Sequence, residues 1–203
     1  SLKSQIGKVD MSHLPLLYEE IGDKYRRCNI DSALRYYTKG VEASKISNNL
    51  EMEQRLLLSR TALLPVQGIV KEAIEIYDSI APNVFPQNKI HYYEVGNRLF
   101  FFAASFYPIE KYSQYYENRA YKSTDSLVAL VEKDSPNHHL YTAQLFAGQN
   151  NQAMMMAEFS EVIKKADISD LEFARAASHL AEYYSKQNDG EENQLYYLAL
   201  ASL

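Results

Sequence analysis

Apolar residues recur along this chain three and four positions apart, the spacing of one helix face, and strand-like alternation is weak. The pattern breaks at turn residues and then resumes. It predicts helix pairs at 12–27 and 31–47, 50–66 and 70–80, 87–107 and 109–131, 137–148 and 150–165, and 169–187 and 191–203. The stripe Leu171, Ala174, Ser178, Ala181, Tyr184 illustrates a face expected to turn inward. The most apolar stretch, Leu99 to Phe106, lies inside a longer helical pattern.

The pairs repeat. Asp31-Ser32-Ala33-Leu34-Arg35-Tyr36-Tyr37 sets a small residue at Ala33, an aromatic one turn on at Tyr37, and Gly40 beyond it. Lys71-Glu72-Ala73-Ile74-Glu75-Ile76-Tyr77 returns to the same order forty residues later, with Ile80 in the third place. The same step reaches Ser113, then Ala153 with Ala157 and Ser160, then Asn193 with Tyr197 and Leu200. Tyr36, Tyr116 and Tyr196 share one register. Five positions before each anchor stand Cys28, Gly68, Pro108, Gly148 and Asn188, which suit tight corners or helix starts. A hairpin cannot bury its apolar stripe alone, so neighbours must stack. The expected fold is all-α: about five antiparallel helical hairpins wound as a right-handed superhelix, in one domain spanning 1–203.

A small residue, an aromatic four later, another small residue three later and a Gly five before resemble the tetratricopeptide (TPR) repeat. The copy Gly68, Ala73, Tyr77 matches best, although forty residues exceed that family's usual period. A wider resemblance runs through Asn29-Ile30-Asp31-Ser32-Ala33-Leu34-Arg35-Tyr36, Gly68-Ile69-Val70-Lys71-Glu72-Ala73, Leu180-Ala181-Glu182-Tyr183-Tyr184 and Leu195-Tyr196-Tyr197-Leu198-Ala199-Leu200-Ala201. These strings are similar to the TPR-like N-terminal sensor region of Bacteroidetes-type transcriptional regulators, a domain of unknown function. The resemblance implies a helical region on the periplasmic side of the inner membrane, followed in the whole protein by a membrane anchor and a DNA-binding segment. It therefore implies that the chain continues past Leu203. It brings no catalytic residue and no cofactor.

Composition narrows the function classes. The chain is 46% hydrophobic, enough for a substantial core, and carries 21 basic against 26 acidic residues, net −5. That balance disfavours a nucleic-acid surface and a polybasic membrane-surface helix. No apolar run is long enough to span a bilayer. Cys28 is alone, which excludes an internal disulfide and a cysteine-based zinc site.

Chemistry-bearing motifs are few. There is no His-Glu-x-x-His, no Gly-x-Ser-x-Gly and no Walker loop. His179 and Glu182 share a helix face but supply only two ligands, so a structural or solvated His179 is expected. One of His138 and His139 is expected to face solvent, and Cys28 to be a small corner residue. Glu19-Glu20 and Glu191-Glu192 read as solvated or first-turn carboxylates. The 17 Tyr, with pairs at 36–37, 92–93, 115–116, 183–184 and 196–197, predict one ring packed inward and its neighbour near the surface or a groove.

The resemblance to TPR arrays implies that the first helix of each pair lines the concave face. Carried onto this chain, the ligand-facing positions are Tyr18, Tyr25, Arg26, Arg55, Arg98, Phe102, His138, Arg175, Glu182 and Lys186. Basic residues recur there on an acidic chain, and guanidinium groups suit bidentate capture of a carboxylate. The expectation is a non-enzymatic sensor or scaffold domain that binds an acidic or C-terminal peptide segment. Self-association is a second partner class. The rival readings are a soluble cytoplasmic adaptor for peptide tails and a surface glycan-binding helical protein.

Overall fold

The computed structural model describes residues 4, 6, 9–167, 170–186 and 191–201, with the side chains of 191 and 192 undescribed. It contains α1 (Leu14–Tyr25), α2 (Ile30–Ile46), α3 (Leu50–Thr61), α4 (Val70–Ile80) and α5 (Lys89–Phe106). α6 (Glu110–Leu130), α7 (Pro136–Gly148), α8 (Gln152–Lys165), α9 (Leu171–Ser185) and α10 (Glu191–Ala201) follow. Among the described residues there is no strand. The fold is thus an all-helical repeat array of paired helices, with boundaries close to the periodicity reading. The largest departure is at α3, which ends at Thr61 and hands over to a 3-10 turn at Leu64–Gln67 because Pro65 cannot continue the hydrogen-bond ladder. The chain forms two compact units, residues 1–120 and 121–203, and each is taken by itself.

The turns use a recurring local device. Asn48, Asp134 and Asn150 take left-handed backbone angles (φ 53, 66 and 55). Each is followed at once by a helix cap, whose side-chain oxygen accepts from the third backbone N–H ahead. Asn49 accepts from Met52 at 3.1 Å, Ser135 from His138 at 3.2 Å and Asn151 from Met154 at 3.3 Å. Asn and Asp tolerate the left-handed region, and an Asn or Ser cap satisfies one orphan donor. Gly68 (φ 77) serves the expected corner role between α3 and α4. Gly148 does not: the left-handed residue is Asn150, and Gly148 instead makes room for Tyr121, whose ring would lie 2.5 Å from a Cβ there. Asn188 lies outside the described residues. Cys28 is exposed in the α1–α2 turn, its thiol directed to the Lys24 carbonyl.

In unit 1 the anchors Ala33 and Ala73 are fully buried, and Tyr37 and Tyr77 fill the space one turn on. Tyr37, Ala33 and Val41 of α2 share a cluster with Leu56 of α3. Tyr77 of α4 stacks on Tyr92 of α5, ring centroids 4.2 Å apart, and meets Phe100 edge-on. Tyr36 and Tyr37 are both buried, which departs from the one-in, one-out expectation, whereas Tyr115 and Tyr196 are exposed beside half-buried partners. In unit 2 the core is Leu140, Ala143, Phe159, Val162, Ala176 and Leu180. Here the forty-residue register slips: Ala153 and Asn193 are exposed, and α8 buries Phe159 and Val162 with Met155 packed behind them. The inward face of α9 is likewise Phe173, Ala176, Ala177, Leu180 and Ala181, while Leu171 and Ser178 are exposed.

Close approach of α1 and α2 depends on Gly22. A Cβ on Gly22 would lie 2.5 Å from Tyr37 Cε1, and that ring is buried with its hydroxyl held by Asp23 at 2.7 Å. Alanine would gain ~1 kcal/mol in helix propensity, but displacing a buried ring costs ~1–3 kcal/mol. Gly22→Ala is therefore expected to lower stability by about 1 kcal/mol net, read as a lower urea midpoint at unchanged m-value.

Candidate functional site

The first helices of the hairpins in unit 1 are α1, α3 and α5, and short polar contacts tie them together on one side. Arg55 Nε of α3 donates to Glu19 Oε1 of α1 at 2.7 Å. Glu19 is only 4% exposed, yet the Arg55 side chain is 51% exposed. The guanidinium is thus anchored through one nitrogen while its terminal edge stays accessible. One turn along α3, Ser59 Oγ lies 3.1 Å from His91 Nε2 of α5. His91 Nδ1 faces Glu94 Oε2 at 3.9 Å.

Electrostatics explain why this cluster is polarised. Burial pushes the Glu19 carboxyl above its ordinary range; the Arg55 charge and hydrogen bond pull it back, Asp23 opposes them and His91 assists. The desolvation effect is the larger one, so the charge on Glu19 is held at a cost that Arg55 only partly offsets. Burial and the bond to Asp23 push the Tyr37 phenol up as well.

The other expected contact residues are distributed as follows. Tyr18 and Tyr25 are half-buried, flanking the Tyr36 ring at 6.2 and 5.8 Å, so they pack the α1–α2 hairpin. Arg26 is exposed at the end of α1. Arg98 turns its Nε toward the Glu94 carbonyl at 3.4 Å. Phe102 is 39% exposed and stacks on Phe106. In unit 2, His138 is half-buried and Arg175 lies one turn before His179 on α9. Glu182 and Lys186 form an exposed pair at 2.8 Å beside a cleft of about 270 Å³. The structure thus joins Arg55 to Glu19, and Glu182 to Lys186.

Glu19 corrects the reading of Glu19-Glu20 as a solvated pair: it is buried because it faces α3 across the hairpin interface. The His138-His139 expectation is also corrected. Both are half-buried. His139 sits between Glu158 (Nδ1 to Oε2, 2.6 Å) and Asp134 (Nε2 to Oδ1, 3.0 Å), with Lys165 joining Asp134. The two carboxylates occupy opposite ends of the ring and cannot share one ion. Among the described residues no group of three or more His, Cys, Asp or Glu could hold a metal. Ser59, His91 and Glu19 were missed, although helix spacing pointed to them: Glu19 is two turns before Arg26, Ser59 one after Arg55, His91 two before Arg98.

Residues 1–203 match the family model described as the SusR N-terminal TPR domain. The chain belongs to that family. A solved structure of a thermophilic TPR protein from Thermus thermophilus superposes with a TM-score of 0.61, covering 93% of this chain and 100% of that one, at 13% identity. At that identity the likeness shows the fold alone. No curated protein sequence matches the chain. For a SusR-type TPR domain the coarse role is that of a TPR scaffold suited to protein interaction. Among the described residues no helix is long and apolar enough to cross a membrane.

The Glu19 shift has a testable sign. A carboxyl that binds its proton more tightly in the folded chain loses folded-state stability as pH rises from the ordinary value of 4.5 through the raised one. Glu19→Gln keeps an acceptor for Arg55 and removes the titration. The variant is expected to show a flatter decline of urea midpoint with pH above 4.5 than the parent. Identical pH profiles would contradict the buried-carboxylate account.

Proposed function

We propose that this chain is the partner-binding sensor domain of a membrane-bound transcriptional regulator, acting on the periplasmic side of the inner membrane. The observation that carries the reading is the family match over residues 1–203 to an N-terminal TPR domain of SusR type. The polar face of α1, α3 and α5 supplies its chemistry. Arg55, fixed through Nε by Glu19, offers its terminal edge to a carboxylate of the partner. Residues 1–203 would act as one binding domain, and self-association would be one route by which an occupied sensor signals. Binding that favours one packing of neighbouring hairpins shifts the array toward it, which is how a groove ligand reaches a distant output.

Two measurements test this. In binding assays with a peptide ending in two Glu residues, the free acid is expected to bind and the C-terminal amide to bind more weakly. Arg55→Ala should weaken the free acid by about tenfold or more, the scale of one charge-assisted hydrogen bond. Arg55→Lys should recover only part of it, because an ammonium lacks the fork. Equal binding of acid and amide, or no effect of Arg55→Ala, would remove Arg55 from the site. For location, alkaline phosphatase joined to this helical region within the natural full-length protein is expected to be active. An inactive fusion would favour the cytoplasmic adaptor.

A further inference from the structure

The pair of Glu19 and Arg55 is asymmetric. The Glu19 side chain is 6% exposed and the Arg55 side chain 51%. Neither residue has another ion-pair partner among the described residues. Four helices bring a titratable group toward Glu19: Asp23 on α1, Tyr37 on α2, Arg55 on α3 and His91 on α5. Tyr37 is committed to Asp23, its hydroxyl donating at 2.7 Å. His91 lies between Ser59 Oγ at 3.1 Å and Glu94 Oε2 at 3.9 Å. One guanidinium therefore serves the buried carboxylate, and its terminal edge is the one that faces solvent.

We propose that capture of a partner carboxylate by Arg55 is coupled to protonation of Glu19. The inference rests on the Arg55 reading above and names how that face is regulated: it holds an acidic segment more tightly as pH falls. With the partner in place, one guanidinium faces two carboxylates, and a proton from solvent relieves the excess negative charge. Glu19 receives it. Burial lifts the Glu19 pKa, Arg55 offsets this only in part, Asp23 adds to it and His91 opposes it. The partner's carboxylate meets the exposed edge, keeps much of its hydration and stays ionised. Tyr37 stays protonated throughout, its phenol pushed up by burial and by Asp23. Neutral Glu19 still accepts from Arg55 Nε through its carbonyl oxygen, so the guanidinium keeps its place. A carboxyl whose pKa rises further on binding takes up protons. Affinity then falls as pH climbs from the free-state value, itself above 4.5, through the bound-state value. The partner's own carboxylate has its pKa lowered by Arg55 and releases protons, the opposite sign.

The test is calorimetric titration of the full chain with an acetylated peptide ending in two Glu residues. Buffers of different ionisation enthalpy, from about pH 5 to pH 8, count the protons exchanged. Uptake reaching about half a proton is expected, with an affinity that falls about tenfold across the range, the scale of a one-unit rise on binding. In the same chain the Glu19 carboxyl carbon signal should titrate at a higher pH with peptide bound than without. Glu19→Gln keeps the acceptor and cannot titrate, so its affinity should change by less than about twofold over that range. His91→Gln should retain the uptake. The proposal is overturned if protons are released or not exchanged, if the Glu19 signal titrates at the same pH in both states, if Glu19→Gln keeps the uptake, or if His91→Gln loses it. Arg55-dependent binding without uptake removes only the coupling. If Arg55→Ala binds like the parent, the binding face falls and the coupling with it.

Discussion

Each hairpin exposes apolar surface that its own two helices cannot cover, and successive hairpins must cover it for one another. Large side chains do this wherever two hairpins meet within a unit. Leu56 of α3 completes the cluster of Ala33, Tyr37 and Val41 on α2. Tyr92 of α5 lies on Tyr77 of α4. His179 of α9 lies on Phe159 of α8. The small residues Gly22, Gly40, Ala33 and Ala73 let backbones approach closely enough for these rings and branched chains to reach. The core is therefore a series of local interfaces, and stability in such an array sums from neighbour to neighbour.

The polar chemistry follows from the same packing. Because α1, α3 and α5 lie side by side, groups on their common face come within hydrogen-bonding range without any dedicated loop. Glu19 reaches Arg55, and Ser59 reaches His91. An ion pair with one member buried is poor evidence for stability, since desolvation erodes most of the attraction. Its better-supported effect is geometric. Glu19 fixes one guanidinium nitrogen of a side chain whose remainder is half exposed, so less rotamer entropy is lost when a partner engages it.

Helix identity, pairing and most boundaries were legible because they rest on local signals that a 3.6-residue period and helix breakers carry. The register in unit 2 was less legible. Counting in forties led to Ala153, whereas the chain buries Phe159 and Val162 with Met155 half-buried against them, and only the depth of the neighbouring helices decides that. The turns misled in another way: Gly148 was read as a corner residue, whereas Asn150 supplies the left-handed residue there and Asn151 the cap. Of the candidate site, Arg55 was legible from register. Its partner Glu19 was not, because a Glu-Glu pair on a helix reads as solvated until the facing helix is in place. Tyr18 and Tyr25 show the reverse, having a groove-like register but rings committed to Tyr36.

The most direct test of the account follows the arginine side-chain signals of the full chain by NMR while an acidic free-acid peptide is added. The account predicts that Arg55 Nε–H stays protected from exchange, held by Glu19, before and after addition, while the terminal nitrogens of Arg55 shift and slow. If the Arg55 signals stay unchanged at saturating peptide while arginines elsewhere respond, or if Nε–H exchanges as fast as in an exposed arginine, then the Glu19-anchored face is not the binding site.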